Sequence, residues 1–407
     1  MDGCGVELHA SGSSRFQIDC SPMQSIRRYL FFFFIYSFLG AQPLLTLKPA
    51  AHPQSLQFLC TVQAPFGEWA PLAQFVSGLN SSVYSLPVEQ QAAWRRHAEL
   101  ANGSWANAQK RYLDPIERWR ERTFDKSATT DLAFYPFSGP DAANVLSFFP
   151  NAREYLLIGL EPVGCIPAGL PDYNAMYFSA LRRSLDTILT VNFFRTNDMQ
   201  VDFNNANLRG VLPALLFMIA RSGYSLVDVT RVNITPGGSI ERSSSEVTGE
   251  TPGVAIRFAD GRQSVRTLYY FSVNLLDYRL RRKPGTMKYL AGLAEANTLI
   301  KSASYLLHSP YFSFVRDTIL AKSRMIVEDD SGIPFRFFDS SEWDVQLYGT
   351  YSEPITRFKK WHQVDLESAF ASTRDVRPLG FAIGYRHSKE SNLLVATHRR
   401  VTQRRSE

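Results

Sequence analysis

The chain is poor in cysteine and lacks the short motifs by which several enzyme classes are recognised. Four of its 407 residues are cysteine, and no two of them form a C-x-x-C pair. The patterns G-x-S-x-G, H-E-x-x-H and G-x-x-x-x-G-K-[ST] are absent as well. These motifs supply a nucleophile, a pair of metal ligands or a phosphate-binding loop, so familiar serine hydrolases, zinc proteases and P-loop enzymes are disfavoured.

Repeats and low-complexity tracts are also missing. Hydrophobic residues make up 45% of the chain, and its phenylalanines and tyrosines are scattered along it instead of forming repeats. A chain of this length and composition can bury a sizeable core in one large or two ordinary domains. The composition therefore predicts a globular protein and argues against disorder.

The positive charge is too localised to indicate nucleic-acid binding. The formal net charge is +6, and much of the excess lies in "RLRRK" at 279–283 and in the tail that begins at His398. A nucleic-acid module would interleave basic and aromatic residues along one face, and no such run is present. We therefore interpret both clusters as solvated surface and expect no nucleic-acid partner.

The N-terminal region has the layout of an export signal. Residues 23–41 begin with Met23, carry two arginines and continue into an apolar run that ends in small residues. This run is shorter than the roughly 20 apolar residues that a membrane-spanning helix needs, which favours a cleaved signal peptide over a permanent anchor. The alternative is a buried aromatic helix behind a disordered N-terminus.

Residues 1–22 are polar and unlike the basic start of a signal peptide, so we interpret them as a start-site extension upstream of the true first residue. Cleavage near Ala41 would give an extracytoplasmic protein, periplasmic or secreted, that engages the membrane only through its export signal. Cys60 and Cys165 then remain, and an oxidising compartment permits a bridge between them. Two unpaired thiols are equally compatible with the sequence.

The body of the chain changes from helical patterning to alternating strands and helices. Residues 42–130 form an N-terminal lead-in, with tryptophans and other apolar residues at helical spacing from Pro87 to about Phe124. Residues 131–385 form an α/β domain in which apolar strands alternate with amphipathic and buried helices. Residues 386–407 are assigned to a basic C-terminal tail.

This order predicts an α/β fold built as a three-layer sandwich. The strands "DLAFYPF" and "EYLLIGLEP" are joined by a short helix, which is typical of parallel neighbours. A later segment, "VAIRFADGRQSVRTLYYFSVNLL", predicts a hairpin that turns at Asp260-Gly261. We expect a largely parallel, Rossmann-like sheet with an antiparallel hairpin insertion and an α-helical N-terminal lead-in.

Polar residues follow three of the predicted strands. Open α/β sheets bind ligands outside the carboxyl ends of their strands, so neighbouring strand ends are the expected place for a site. The sequence predicts a cluster of carboxylates with one hydroxyl beside it if these strands are neighbours. The residues are Ser138, Gly139 and Asp141 in "SGPD", Glu161 in "EPVG", and Asp329 and Asp330 in "EDDSG".

Each carboxylate also has a structural interpretation. Asp141 lies at the first turn of a predicted helix, where an acid caps free N–H groups. Glu161 ends an apolar strand, so it must find a partner, reach solvent or face a cavity. An Asx-type turn before Gly332 accounts for Asp329 and Asp330 equally well.

Two further candidates lie outside these segments, and no metal site is predicted. Asp198 in "RTNDM" would add a polar wall to the site, although loop chemistry explains this segment as well. His308 ends "NTLIKSASYLLH", which predicts a strand, and it is the histidine suited to act as a general base near Ser138. A structural role for His308 stays open.

The spacing between Gly139 and Glu161 is similar to that of dinucleotide-binding and methyltransferase-like folds. In those folds an acid about 20 residues after the glycine-rich loop holds a ribose hydroxyl. Here the loop has one glycine and a proline in place of several glycines, so a close approach of phosphate is disfavoured. We retain the resemblance in topology and leave the cofactor unknown.

The strings "YPFSGPD" and "GLEPVG" resemble those of uncharacterised bacterial exported proteins. The resemblance covers much of the mature chain, implies a bacterial, extracytoplasmic setting, and carries no assigned activity. Three hypotheses follow. The first is a hydrolase that acts on a small polar or sugar-like ligand with Asp141 and Glu161, the second a noncatalytic ligand-binding or envelope-scaffold protein, and the third a methyltransferase-like protein, which would require a cytoplasmic location.

Overall fold

The computed structural model describes residues 60–399 except 65–66, 81, 83, 125–129, 194–200, 205, 244–246 and 386–390. Three sequence predictions lie outside the described residues. They are the start-site extension at 1–22, the signal peptide at 23–41, and the candidate residue Asp198. Within the described residues, no helix is both long enough and apolar enough to span a membrane.

Some of the helices begin after a residue whose side chain caps the first turn. Ala175–Val191, for example, begins after Asn174, whose side chain accepts hydrogen bonds from two first-turn N–H groups, and ends before Asn192 in the left-handed region. The described helices of four or more residues are Trp69–Val76, Val88–Ala108, a π-helical turn Gln109–Leu113, Asp114–Thr123, Ala142–Phe148, Ala175–Val191, Leu212–Arg221, Asp277–Leu280, Pro284–Ala291, Ser313–Lys322, Thr356–Trp361 (3₁₀) and Val364–Ser372.

The strands are rich in β-branched and aromatic residues, as half-buried or buried strands require. In chain order they are β1 Cys60–Thr61, β2 Leu132–Tyr135, β3 Glu154–Gly159, β4 Ile166–Pro167, β5 Ser225–Ile234, β6 Ile240–Arg242, β7 Thr251–Ala259, β8 Val265–Ser272, β9 Ala296–Ile300, β10 Ser323–Glu328, β11 Trp343–Gly349 and β12 Asn392–His398.

Ten of the strands in the described part of the chain form one sheet, in the order β11-β12-β10-β9-β2-β3-β8-β7-β5-β6. The five central strands β10, β9, β2, β3 and β8 are parallel to one another. Antiparallel pairs extend the sheet at both sides, through β7, β5 and β6 on one side and β12 and β11 on the other.

The parallel strands follow a doubly wound order. The chain starts in the middle with β2, moves outward through β3 to β8, and then returns to place β9 and β10 on the other side of β2. The five strands therefore lie in the order 3-2-1-4-5, which is that of dinucleotide-binding sheets. The order reverses between β2 and β9, and a crevice is expected outside the carboxyl ends of the strands at that point.

Side chains of successive strand residues enter two different cores, one on each face of the sheet. Ala133 and Tyr135 lie in the first core with the helices between residues 69 and 221. Leu132 and Phe134 lie in the second core with the helices between residues 277 and 372. This alternation is that of a parallel sheet covered on both faces, and it confirms the predicted three-layer α/β fold.

Two parts of the sequence interpretation need correction or limits. The tail assigned to residues 386–407 was wrong for Asn392–His398, which form β12 between β10 and β11 because "NLLVATH" is mostly apolar and buried. The antiparallel part of the sheet is also larger than the predicted hairpin insertion. Helices occupy Trp69–Val76 and residues 88–123 in the predicted lead-in, and its residues before Cys60 lie outside the described part.

A small two-stranded sheet lies apart from the large one. β1 pairs antiparallel with β4, so that Cys60 lies opposite Pro167 in the register. Cys165, two residues before Pro167, is disulfide-bonded. The sequence left open whether this cysteine is bridged, and the structure answers that it is.

Candidate functional site

A cavity of about 400 Å³ lies at the carboxyl ends of four adjacent parallel strands. Its walls come from the loops after β2, β3, β8 and β9, which are consecutive in the sheet order β9-β2-β3-β8. This is the crevice that a doubly wound sheet forms where its strand order reverses. Four of the predicted site residues line it, namely Ser138, Gly139, Asp141 and Glu161.

Glu161 is the acid in this cavity that keeps an unused oxygen. It lies two residues beyond β3 and is 2% exposed. Its Oε2 accepts a hydrogen bond from the N–H of Leu160 at 3.2 Å and lies 3.5 Å from the Tyr270 hydroxyl. Its Oε1 is buried and has no partner among the described residues. Burial raises the pKa of the Glu161 carboxyl, and these hydrogen bonds oppose the shift.

The backbone around Glu161 is shaped to accept its side chain. A Cβ at Gly159 would lie 2.5 Å from the Tyr270 hydroxyl oxygen and 2.8 Å from Oε2 of Glu161. The same Cβ would lie 3.0 Å from Cα of Gly139, which follows β2. The two loops therefore approach each other where only a glycine fits.

Asp141, in contrast, has all of its bonding capacity engaged by the protein. It is 1% exposed and is the N-cap of the helix Ala142–Phe148, where Oδ1 accepts from the N–H of Asn144 at 3.2 Å. Its Oδ2 accepts from the Tyr135 hydroxyl at 3.0 Å and lies 3.0 Å from Nζ of Lys301. Asp141 therefore caps the helix, as the structural interpretation of the sequence expected. An acid/base role would require these contacts to break.

Ser138 and Gly139 form the turn that carries the chain from β2 to that helix. Both the N–H and the hydroxyl of Ser138 donate to the carbonyl oxygen of Ile158 in β3, at 3.0 and 3.2 Å. Gly139 has a φ of +53°, in the left-handed region. Because the Ser138 hydroxyl is bonded to the backbone and 4% exposed, its role in this structure is to hold the turn against β3.

Lys301 is a site residue that sequence analysis missed. It follows β9 directly, is 2% exposed, and lines the cavity. Its Nζ contacts Asp141 and donates to the carbonyl oxygen of Asn192. It was missed because it lies inside the segment "NTLIKSASYLLH", which was predicted to be one continuous strand. β9 in fact ends at Ile300, because Ser302, Ser304 and Tyr305 have positive φ values that no strand accommodates.

The third predicted segment does not reach the cavity. Asp329 accepts from the N–H groups of Ser302 at 2.8 Å and Ser331 at 2.9 Å. Asp330 accepts from the Tyr305 hydroxyl and from Nδ2 of Asn392. These acids line a separate space of about 10 Å³, so the prediction that they share one hollow with Glu161 was wrong for the described cavity.

Burial is the main influence on the ionisation of these acids. It raises the pKa of Asp330 to about 6, with the charge of Asp329 as the second cause. It also raises the pKa of Glu328 well above its usual range. The Asx-type interpretation fits Asp329, which bonds the N–H of a residue two positions later.

His308 is not placed to act as a base toward Ser138. It does not line the strand-end cavity, and its ring packs edge-on against Tyr305 and Trp361 at centroid distances of 5.1 and 5.6 Å. Burial, with the charge of Arg336, lowers the pKa of His308 to about 4. It is therefore a neutral, packed side chain near neutral pH, and its predicted catalytic role finds no geometric support.

The walls of the cavity are otherwise largely apolar. Phe137, Ile158, Leu275, Leu276 and Phe312 face the space, and the exposed side chain of Arg357 lies at its edge. Among the described residues, no group of three or more His, Cys, Asp and Glu side chains is arranged to hold a metal ion.

Chemically, this arrangement combines a largely apolar cavity with one buried carboxylate oxygen that has no donor among the described residues, which suits the binding of a ligand that carries hydroxyl groups. No protein family model, curated protein or solved structure matches the chain. Any assignment of function therefore depends on the cavity itself.

Proposed function

We propose that this protein binds a small ligand of nucleoside type in the strand-end cavity, and that Glu161 accepts hydrogen bonds from the hydroxyls of its sugar. The observation that carries the proposal is Glu161, which lines the cavity and whose Oε1 is buried with no partner among the described residues. A buried carboxylate oxygen without a donor costs free energy, and a ligand hydroxyl would remove that cost.

The position of Glu161 in the fold supports a ribose as that sugar. It follows the second strand of a 3-2-1-4-5 sheet, which is where doubly wound folds place the acid for the ribose hydroxyl. The apolar walls formed by residues such as Phe137, Leu275 and Phe312 suit a flat base.

The loop after β2 argues against a dinucleotide. The N–H groups of Ser138, Asp141 and Ala142 donate to carbonyl oxygens of the protein. They are thus not free to hold a pyrophosphate, which dinucleotide-binding loops bind through exposed N–H groups. A nucleoside or a nucleoside with a short substituent fits this loop better.

The hydrolase hypothesis receives less support from the geometry. It pairs Glu161 with Asp141 as acid and base, and Asp141 is held by Lys301, Tyr135 and Asn144. Two carboxylates divide acid and base roles when both can exchange protons with a substrate. Among the described residues that line the cavity, the contacts of Asp141 leave Glu161 as the acid available to a ligand.

A methyltransferase-like protein is the second candidate, and one specific observation favours it. β12 is antiparallel to both β10 and β11. β11 therefore runs in the same direction as the five central parallel strands, and the antiparallel β12 lies between it and β10. Methyltransferase-like sheets share this order. S-adenosylmethionine carries the same ribose that Glu161 would hold, and it belongs among the ligands to be tested.

We also propose an extracytoplasmic, bacterial setting. The disulfide of Cys165 supports it, because such bonds persist in oxidising compartments. N-terminal sequencing of the protein from fractionated cells tests the location. A cytoplasmic product that still begins before residue 23 would contradict it and would favour the methyltransferase-like candidate.

The experiment for the main proposal is calorimetric titration of the purified protein with adenosine and with 2′,3′-dideoxyadenosine. We expect adenosine to bind about 10 to 100 times more tightly, since hydrogen bonds to a charged group contribute about 1.5–3 kcal/mol. In Glu161→Gln this preference should shrink several-fold, because the amide replaces one acceptor oxygen with a donor.

The matched control is Glu121→Gln, since Glu121 is exposed on the surface and does not line the cavity. This variant should retain the wild-type preference. Equal binding of both nucleosides by the wild-type protein, or binding of glucose but not adenosine, would refute the nucleoside assignment.

A further inference from the structure

Of the described charged residues around the cavity, two form an ion pair with each other, and two others do not. The charged residues that line it in the described chain are Asp141, Glu161, Lys301 and Arg357. Asp141 and Lys301 form a buried pair at 3.0 Å. That leaves Glu161 on one side of the cavity and Arg357 on the other as the charges that a ligand can meet.

Arg357 is exposed, and neither an ion pair nor a hydrogen bond engages its guanidinium within the described residues. It lies in the 3₁₀ helix Thr356–Trp361, with its guanidinium carbon 5.7 Å from the ring centroid of Phe358. An arginine that rests on an aromatic ring keeps its N–H donors available at the edges of the guanidinium plane.

An aromatic cluster fixes the helix that carries Arg357. The ring of Phe358 lies 4.9 Å from Tyr385 and 5.2 Å from Tyr305. The Tyr385 hydroxyl donates to the carbonyl oxygen of Ser302 at 2.6 Å and contacts the N–H of Ser304 at 3.0 Å. Arg357 is thereby tied to the loop after β9.

The two unpaired charges consequently lie over different strands. Glu161 follows β3 and contacts Tyr270 of β8, whereas Arg357 is held beside the loop after β9, and β2 separates β3 from β9 in the sheet. A ligand that spans the crevice can therefore place a sugar at Glu161 and a second group at Arg357.

We propose that the ligand of this cavity carries an anionic group, a carboxylate or a phosphate, which Arg357 binds at the opposite side from Glu161. The planar guanidinium offers paired N–H donors that match either anion. This inference rests on the proposed nucleoside site and adds the charge of the ligand to it. The substrate class is then an anionic nucleoside derivative and not a neutral nucleoside.

The test compares adenosine, adenosine-5′-carboxylic acid and adenosine 5′-monophosphate in calorimetric titrations of the purified protein. We expect one or both anions to bind about 2 to 5 times more tightly than adenosine, as is typical of a partly exposed ion pair, with the advantage decreasing at high salt. The anion with the larger increase in affinity over adenosine identifies the group that the site prefers.

Arg357→Gln should abolish the advantage of the anions over adenosine. The matched control is Arg336→Gln, because Arg336 is also exposed, lies 5.1 Å from the ring of Phe337, and does not line the cavity. Because both arginines are exposed, neither variant is expected to unfold the protein.

The outcomes separate the two proposals. If adenosine binds and neither anion binds more tightly, or if Arg357→Gln behaves as Arg336→Gln does, the anionic group is refuted while the nucleoside site stands. If none of the three compounds binds, the nucleoside site fails, and the role of Arg357 fails with it.

Discussion

Asp141 and Glu161 show that burial alone does not identify a functional acid. Both are almost fully buried at the same cavity. Asp141 meets a lysine, a tyrosine hydroxyl and an amide, and Glu161 retains an oxygen with no donor among the described residues. The number of donors around a carboxylate therefore discriminates between a structural and a ligand-binding role.

A double-mutant cycle on the Asp141–Lys301 pair tests this assignment at the level of residues. Lys301→Met should lower the free energy of unfolding by about 3–5 kcal/mol, because it leaves a carboxylate buried without its cation. Asp141→Asn keeps an N-cap and should also destabilise the protein. The double variant should lose clearly less than the sum of the two, as measured by urea denaturation.

Additive effects in that cycle would show that the two side chains do not depend on each other. A loss below about 1 kcal/mol for Lys301→Met would likewise contradict a buried ion pair and would return Asp141 to the candidates for catalysis.

The sequence predicted some of these residues and not others, for reasons that are physical. Glu161 was identifiable because an acid at the end of an apolar strand needs a partner or a cavity. Lys301 also follows a buried strand, directly after the end of β9, but this strand was predicted to continue to His308. Asp329 and Asp330 were placed correctly after a strand, yet their hydrogen bonds to neighbouring loops are tertiary contacts that no local pattern encodes.

At the level of elements, loops fix how strands and helices meet, and two glycines make one such junction possible. Gly164 and Gly210 both have positive φ values, of +73° and +117°. A Cβ on Gly164 would lie 1.8 Å from the carbonyl oxygen of Arg209 and 2.5 Å from Cα of Gly210. The loop after β3 thus touches the segment that leads into Leu212–Arg221 through backbone atoms.

Gly164→Ala should therefore destabilise the protein by more than about 2 kcal/mol, because both the backbone conformation and the contact oppose a side chain. Gly103→Ala is the control, since Gly103 lies inside the helix Val88–Ala108 with nothing near its missing Cβ. That change should stabilise the protein by about 0.5–1 kcal/mol. Thermal unfolding of both variants measures the difference, and similar melting temperatures would be incompatible with the close approach.

The order of elements was more predictable than their pairing. Periodicity located β2, β3, β7 and β8 and the hairpin between the last two. It did not reveal that β12 lies between β10 and β11, because its charged flanks resembled a solvated tail. Strand pairing over such sequence distances depends on the whole sheet, and a short apolar run carries little information about its neighbours.

At the level of the whole molecule, two buried histidines contribute to how the fold responds to acid. Burial is the main cause that lowers the pKa of His97 and of His308 to about 4. Each is neutral in the folded state at a pH where the unfolded chain binds a proton. Their contribution to stability is thus fully present above about pH 6.5 and is lost as the pH falls toward 4.

NMR titration of the imidazole C–H signals tests this expectation without any substitution. The signals of His97 and His308 should stay near their high-pH positions between pH 8 and pH 5 and should move only as the pH approaches about 4. A midpoint near pH 6.5 for either ring would show that it is accessible to water and not packed as described.

The position of β12 has a consequence for synthesis of the protein. This strand is synthesised after β10 and β11, yet these two strands are joined in the sheet through it. Until it arrives, the nascent sheet presents two unsatisfied edges of backbone donors and acceptors, which are templates for aggregation. Chains that terminate early, before residue 392, would consequently be recognised by chaperones and proteases instead of accumulating as shortened active forms.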